Sequence, residues 1–548
     1  MQPASQNVQR LLLLLLLLAG GVLRFHGITS RGLVEWDEGH YMLEAQFVRS
    51  VLEQAPNLVA GREGLQSLQQ RIVGWPLVSA KPGHAFLIFL TSLGTGMRDY
   101  AGAVMSAVLG LMTVLVVYAV GAQCGGRLAG LLGAAVLSVS SFHVMYSRSS
   151  LAEVGPAFFF LLGVWLLHSN VLAERASWWR LAGGGAALGW ALVSNYRWYV
   201  VAAALAVACA AWAALVPKRA ERLTVLARLG TFWMAALLPA IACEIPYAVA
   251  RWVGLGSSYP MSMGYWESLK WFYLVKPSQG TFSPHVLYFR TLLQLERPLV
   301  AGLVMLGVIA AARRLRDLNV LTVLVPFAVP LALFSMTTRG DRLVAISLVA
   351  PFLSILAGMG AAWLLTYVPD RYCSTVHAGL VALILLVGVG NSLWLLQVKS
   401  GWRDVSDFVA GRNAKLLTFQ AAIPKFYLGR EMVKLPPATR EELVRAVDGG
   451  YRYLALDWKK HHDKNYTPLI REIESDCGPV LSIQQRVRYF PIFLDDFHYP
   501  HAGSHLSQEA GLYERLLQDP QGDRILVYDL EVYLGGRCRR AARLAESR

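Results

Sequence analysis

Residues 11–28 read LLLLLLLLAGGVLRFHGI: eight leucines, then an apolar stretch that closes on Arg24, Phe25 and His26. Arg10 ahead of the leucines resembles the start of a secretory signal, but no small-x-small cleavage site follows. The run therefore reads as an uncleaved first transmembrane helix. Ten further apolar runs fall near 100–121, 127–145, 154–171, 180–194, 198–216, 229–250, 297–312, 318–336, 343–367 and 373–397. Each is near the ~20 residues that cross ~30 Å of hydrocarbon. The sequence predicts a polytopic α-helical membrane protein with about eleven crossings over residues 1–397. Gly83 to Gly96 is apolar but short, and reads as a re-entrant or interfacial segment.

Composition agrees. The 548 residues are 55% hydrophobic and 16% charged, with mean hydropathy +0.42, against roughly 45–50% apolar and about 25% charged in soluble domains. A single soluble globule, a disordered chain and a collagen-like fibre are excluded. The net charge of +15 invites a nucleic-acid reading in a soluble protein. Here much of the excess sits in short loops, where Lys and Arg set orientation instead.

With the N-terminus inside, the inner loops hold Arg127, then Arg175 and Arg180, then Lys218, Arg219, Arg222 and Arg228, then Arg313, Arg314 and Arg316, and lastly Arg371. Counting Gly83 to Gly96 as a crossing would put all of these clusters outside. The accepted parity exports residues 29–82, a short loop around 146–153, the loop 251–296, and everything after about Lys399.

The region 398–548 becomes charged and less apolar, with strand-like runs Lys415 to Phe419, Tyr451 to Leu456, Val480 to Gln484 and Arg524 to Tyr528. A helix-like stretch, Thr439 to Val447, carries Glu441 and Glu442 in its first turn. Strand, helix and strand in succession predict a soluble extracytoplasmic α/β domain. Of six cysteines, Cys124, Cys209, Cys243 and Cys373 lie in or beside apolar segments and read as core residues. Cys477 and Cys538 share the polar region, where a disulfide can form if that region is outside the cytoplasm.

Chemistry is therefore sought on the outer face. The first outer loop holds Glu35-Trp36-Asp37-Glu38-Gly39-His40-Tyr41. Adjacent carboxylates beside a membrane are costly unless solvated, paired or functional, and a general base needs a carboxylate held within hydrogen-bond reach of its proton. The bland reading is a helix start, with Asp37 capping and Glu38 in the first turn of the amphipathic run Tyr41, Ala45, Val48, Leu52. Both can hold, since a capped helix is a rigid mount.

Lys81-Pro82-Gly83-His84 enters the short apolar segment. Lys81 suits a phosphate, against the plainer reading of a snorkelling lysine. Tyr146 to Glu153 packs Arg148 and Glu153 into one short loop, where the two can simply pair with each other. Arg339, Asp341 and Arg342 occupy another outer loop; basic residues there oppose the positive-inside trend and point to an anionic ligand. Tyr259, Tyr265, Trp266, Lys270, Trp271, Tyr273 and Lys276 read first as an interfacial belt and second as a sugar or lipid cleft. His461, His462 and Asp463 have metal-ligand chemistry, but in a polar stretch read as solvated side chains.

The order of these features resembles the membrane-embedded GT-C glycosyltransferases, specifically the polyprenyl- or dolichyl-phosphate-sugar group that includes protein O-mannosyltransferases and aminoarabinose transferases. The likeness covers roughly residues 10–397 and is strongest from Trp36 to Glu153. It implies that Asp37 is the catalytic base, that Lys81, Arg339 and Arg342 bind the donor phosphate, and that Glu38, Tyr41, His84, Arg148 and Glu153 support the site. The chain departs from the family in reading Ala80-Lys81-Pro82-Gly83, without a second proline or an acid before the lysine, and in lacking a His-Pro-Pro motif.

The implied reaction moves a sugar from a polyprenyl-phosphate donor to a glycan, lipid or protein hydroxyl, with inversion, at the plasma (inner) membrane. No resident cofactor is required, a divalent metal is compatible with the site, and no Gly-rich nucleotide loop is seen after any strand. Membrane lipids are partners; nucleic acid is not. The alternatives are an oligosaccharyltransferase with a lipid-diphosphate donor, which a metal held by Asp37 and Glu153 would favour, and a transporter or lipid flippase, in which charges would gather at mid-membrane.

Overall fold

The computed structural model describes residues 6–61, 64–73, 81–171, 173–215, 219–252, 264–270, 287–336, 347–457, 467–487, 523–536 and 538. Every one of the eleven apolar runs contains helix. The first is α1, Gln6–Phe25. Among the described residues five helical segments are long and apolar enough to cross a membrane: Asn7–Ser30, Ala101–Gly125, Val154–Val171, Glu221–Ile245 and Thr375–Gln397. The pair Arg127–Val139 and Ser141–Ser147, bent by 61°, makes a sixth if taken as one broken span. Shorter apolar helices occupy Trp198–Ala214, Leu318–Leu333 and Ala350–Leu365. The chain is a multi-pass membrane protein. Pro82–Thr95 is a helix of 14 residues, about 21 Å at 1.5 Å per residue, and so is shorter than a span.

The chain divides into two compact units. One comprises Met1–His26, Leu77–Gly94 and Ala101–Leu396; the other comprises Gly27–Pro76, Thr95–Tyr100 and Gln397–Arg548. Within the first unit, lipid offers no hydrophobic drive between helices, so close backbone packing through small residues must hold them. Gly130 lies where a Cβ would sit 2.3 Å from the Tyr118 carbonyl oxygen, and at Gly358 one would sit 2.2 Å from that of Ala129. Any side chain at either position would prise two helices apart.

The helix Leu287–Ala312 is kinked at Arg297, whose φ of 67° no helix accommodates, just before Pro298. The broken span is satisfied on both sides by charge from elsewhere in the same unit. At the broken span, Arg24 of α1 donates to the carbonyls of Leu137 (3.2 Å) and Ser138 (2.8 Å), which have lost their helical partners. Glu296, beside the Arg297 kink, accepts from the Ser140 hydroxyl at 2.6 Å and from the Phe142 amide, both at the start of Ser141–Ser147.

In the second unit, α2 (Trp36–Glu53) follows the first apolar helix. The C-terminal part forms a five-stranded sheet from β1 (Lys415–Leu417), β2 (Val433–Lys434), β3 (Tyr451–Leu456), β4 (Leu481–Gln484) and β5 (Arg524–Asp529), in the order β2-β1-β3-β5-β4. β1 pairs in parallel with β2 and β3, while β5 runs antiparallel to β3 and β4. The four runs read as strands and the helix Arg440–Asp448 stand close to where the sequence placed them. β2 was not anticipated, because two residues carry no period. Leu417, Leu443, Leu454, Ile470, Ile473 and Tyr528 build the core of this sheet. Cys477 and Cys538 are bridged across 61 residues of chain at its margin, a closure that stabilises by about 4 kcal/mol on the chain-entropy account.

Candidate active site

α2 starts two residues earlier than the sequence reading placed it. Glu35, not Asp37, is the N-cap: its side chain accepts from the amide of Glu38, and the Glu38 side chain accepts from the Glu35 amide at 3.0 Å. Carboxylates form this reciprocal box as serine and glutamate do elsewhere, because the helix N-terminus presents amides and positive potential. Asp37 is therefore the second residue of the helix, half-exposed, and Glu38 is fully buried.

Glu38 is held on three sides. Arg31 donates to both of its oxygens, at 2.8 and 3.0 Å, and the Val34 amide adds a bond of 2.8 Å. Arg31 is itself 2% exposed. A bidentate guanidinium pair out of water fixes the geometry of both groups, so Glu38 acts as a strut that clamps residues 31–38 and aims the residue beside it. Tyr41, 4% exposed, packs one turn on from Asp37.

Gly39 completes the mount. A Cβ there would meet the backbone of Ala422 and Ile423 at 2.7 Å, so only glycine lets α2 lie this close to the helix Ala422–Leu428. Gly39→Ala is expected to lower stability by roughly 1–3 kcal/mol, as overpacking against unyielding backbone does. A thermal-melt series on purified protein checks it, and an unchanged melting temperature counts against the contact.

A second anchor in the same unit was not legible in the sequence. Arg403 pairs with Asp99 through both its Nε (3.1 Å) and Nη2, and the Tyr427 hydroxyl donates to Asp99 at 2.7 Å. Burial, with the Asp99 carboxylate alongside, keeps the Tyr427 proton on well above the usual tyrosine range. These three residues, distant in sequence, tie the connector Thr95–Tyr100 to the C-terminal part of this unit.

The remaining candidates lie in the first unit. Lys81 precedes the helix Pro82–Thr95 and is 6% exposed. The departure at Gly83 has a steric reason: a Cβ there would sit 2.7 Å from the Ser194 hydroxyl oxygen and 2.9 Å from Val193, so the second proline of the family pattern has no room. His84 Nε2 lies 2.9 Å from the Ser150 carbonyl oxygen.

Arg148, 1% exposed, donates to the carbonyls of Leu23 (3.0 Å) and Arg24 (3.2 Å) at the end of α1. Arg24 in turn donates to His143 Nδ1 at 2.9 Å, which puts the imidazole proton on Nε2. Arg148 thus caps α1, while Arg24 caps the helix Arg127–Val139. Glu153 accepts from Asn195 at 3.4 Å and lies 3.7 Å from Arg197; neither partner was foreseen from the sequence.

Tyr265, read as part of an interfacial belt, is fully buried and bonds to Tyr199 at 3.0 Å, while Trp266 is 45% exposed. Arg339, Arg342, Tyr259, Trp271, Tyr273, Lys276, His461, His462 and Asp463 lie outside the described residues. Among the described residues no group of three His, Cys, Asp or Glu side chains is placed to hold a metal ion.

The sequence profile described as dolichyl-phosphate-mannose-protein mannosyltransferase matches residues 79–246. No curated protein matches the sequence significantly. The fold is similar to that of ArnT from Cupriavidus metallidurans bound to undecaprenyl phosphate, with TM-score 0.55 and 15% identity over 84% of this chain and 94% of that one. It is equally similar to the oligosaccharyltransferase of Archaeoglobus fulgidus in its apo form, with TM-score 0.55 and 11% identity over 84% and 71%.

Proposed function

We infer from this chain, which has the fold of the GT-C superfamily of membrane glycosyltransferases, that it transfers a sugar from a polyprenyl-phosphate donor to an acceptor hydroxyl. The observation that carries the reading is the mount of Asp37: a half-exposed carboxylate on the first turn of a helix whose next residue is locked by a buried bidentate arginine. Rigid placement of a base is what proton abstraction from a hydroxyl requires.

In this reaction Asp37 removes the acceptor hydroxyl proton as the oxygen attacks the anomeric carbon. The bond from that carbon to the donor phosphate oxygen breaks with its electron pair moving to the phosphate, and the sugar configuration inverts. Lys81, Arg339 and Arg342 are assigned to the phosphate, where negative charge grows as that bond breaks. Glu38 and Tyr41 are assigned to support Asp37, and His84, Arg148 and Glu153 to support the segment that carries Lys81. We further assign residues 1–397 to the membrane catalytic domain with eleven crossings, and 398–548 to an extracytoplasmic α/β domain. The Cys477–Cys538 bridge supports that side, because oxidising compartments maintain disulfides. The plasma (inner) membrane is the expected location.

The test is a panel of polyprenyl-phosphate monosaccharides offered to purified protein in nanodiscs, with hydroxyl-bearing glycans, lipids and peptides as acceptors. Consumption of one monophosphate donor, with transfer to an acceptor, is expected. If none binds or reacts while a polyprenyl-diphosphate sugar is consumed, the protein is an oligosaccharyltransferase-like enzyme and the monophosphate reading is wrong.

A further inference from the structure

We propose that the rings of Trp36 and His40 form a platform on which a pyranose ring lies beside Asp37; the proposal rests on the reading of Asp37 as the base. The two residues are four apart on α2 and so share one helix face. Their ring centroids are 5.1 Å apart and their planes 16° from parallel. Trp36 is 38% exposed, so part of the indole is open, and Asp37 is the next residue of the helix.

The stack is braced from below. His40 Nε2 lies 2.9 Å from Glu44 Oε1, one further turn along the same face. Glu44 is only 5% exposed and so fixes the imidazole from its buried side. Trp36 and His40 thus form an aromatic stack held in place by Glu44, with Asp37 next in sequence to the indole.

That stack matches one class of ligand. A pyranose has an apolar face of C–H groups, which a flat aromatic ring covers, and a rim of hydroxyls, which carboxylates accept from. An interfacial anchor would need only the indole, with its body in the lipid and its N–H in water. It would not need a parallel imidazole, and the neighbouring carboxylates make lipid contact unfavourable. The sugar can belong to the lipid-linked donor or to a glycan acceptor; both present the same face and rim.

Saturation-transfer difference NMR on the full-length protein in nanodiscs tests this, with methyl pyranosides as acceptor probes and a short-chain polyprenyl-phosphate sugar as the donor probe. Saturation of the sugar C–H protons is expected, falling at least tenfold in Trp36→Leu and retained in Trp36→Phe. Leucine preserves an apolar anchor and phenylalanine preserves a flat face, so only a platform separates the two variants. Signal with methyl pyranosides assigns the platform to the acceptor; signal with the lipid-linked probe alone assigns it to the donor. Equal signals in wild type and a Trp36→Leu protein of unchanged melting temperature overturn the platform.

Transfer measured on the same samples separates the two ideas. A protein that consumes donor but saturates no sugar proton retains the transferase reading and loses the platform. One that binds through Trp36 yet consumes no donor retains the platform and loses the transferase reading.

Discussion

Asp37→Asn is expected to lower sugar transfer by about 10²–10⁴-fold, the usual contribution of a positioned general base, while donor binding and melting temperature stay close to wild type. The substitution is isosteric. Asp37 is the second residue of α2, behind a capping box made by Glu35 and Glu38, so the helix start does not depend on it. The lost negative charge near the helix N-terminus costs only about 0.3–1 kcal/mol. Initial rates with whichever donor the panel identifies, together with donor binding and a thermal melt, check the prediction. A rate within tenfold of wild type would remove Asp37 as the base.

The second large effect concerns stability first and activity second. Arg31→Leu and Glu38→Leu, made singly, should each cost about 3–5 kcal/mol, because each leaves the other charge buried without its bidentate partner. The double variant should recover much of that loss, since two apolar side chains replace a pair that was costly to desolvate. Transfer should not recover with it. Without the bonds from Glu38 to the amides of Val34 and Glu35, the segment that aims Asp37 loses its clamp. A double-variant cycle read by both melting and turnover separates the two roles, and full activity in the double variant would reduce the pair to a stabilising contact.

How far the sequence carried the fold depended on periodicity. The apolar runs and the strand-like stretches Tyr451–Leu456 and Arg524–Asp529 announce themselves, because buried apolar residues cluster along the chain. Residues that satisfy broken backbone do not. Arg24 and Glu296 complete the same helix break from positions on either side of it in the sequence, and Asp99 meets Arg403 across 304 residues. Such partners share no local pattern, so only the folded arrangement identifies them.

At the candidate site the carboxylate pair Asp37 and Glu38 was visible as an unusual string, but the division of labour between them was not. Which of two adjacent carboxylates is buried follows from the turn at Glu35 and from Arg31, neither of which marks itself in the sequence. The glycine in place of a second proline at position 83 likewise becomes intelligible only against Ser194 and Val193.

Arg24 also sets a schedule for biogenesis. When α1 leaves the ribosome its arginine has no protein partner, and near a helix end it reaches outward to the headgroups. The carbonyls it holds in the finished protein belong to residues 113 and 114 positions later, roughly 6–23 seconds of synthesis at ~5–20 residues per second. The first helix must therefore enter the bilayer in a provisional orientation and turn its guanidinium inward when the broken span arrives. Nascent chains arrested before Ser138 should show Arg24 open to membrane-impermeant reagents, and chains extended beyond Ser147 should show it sealed.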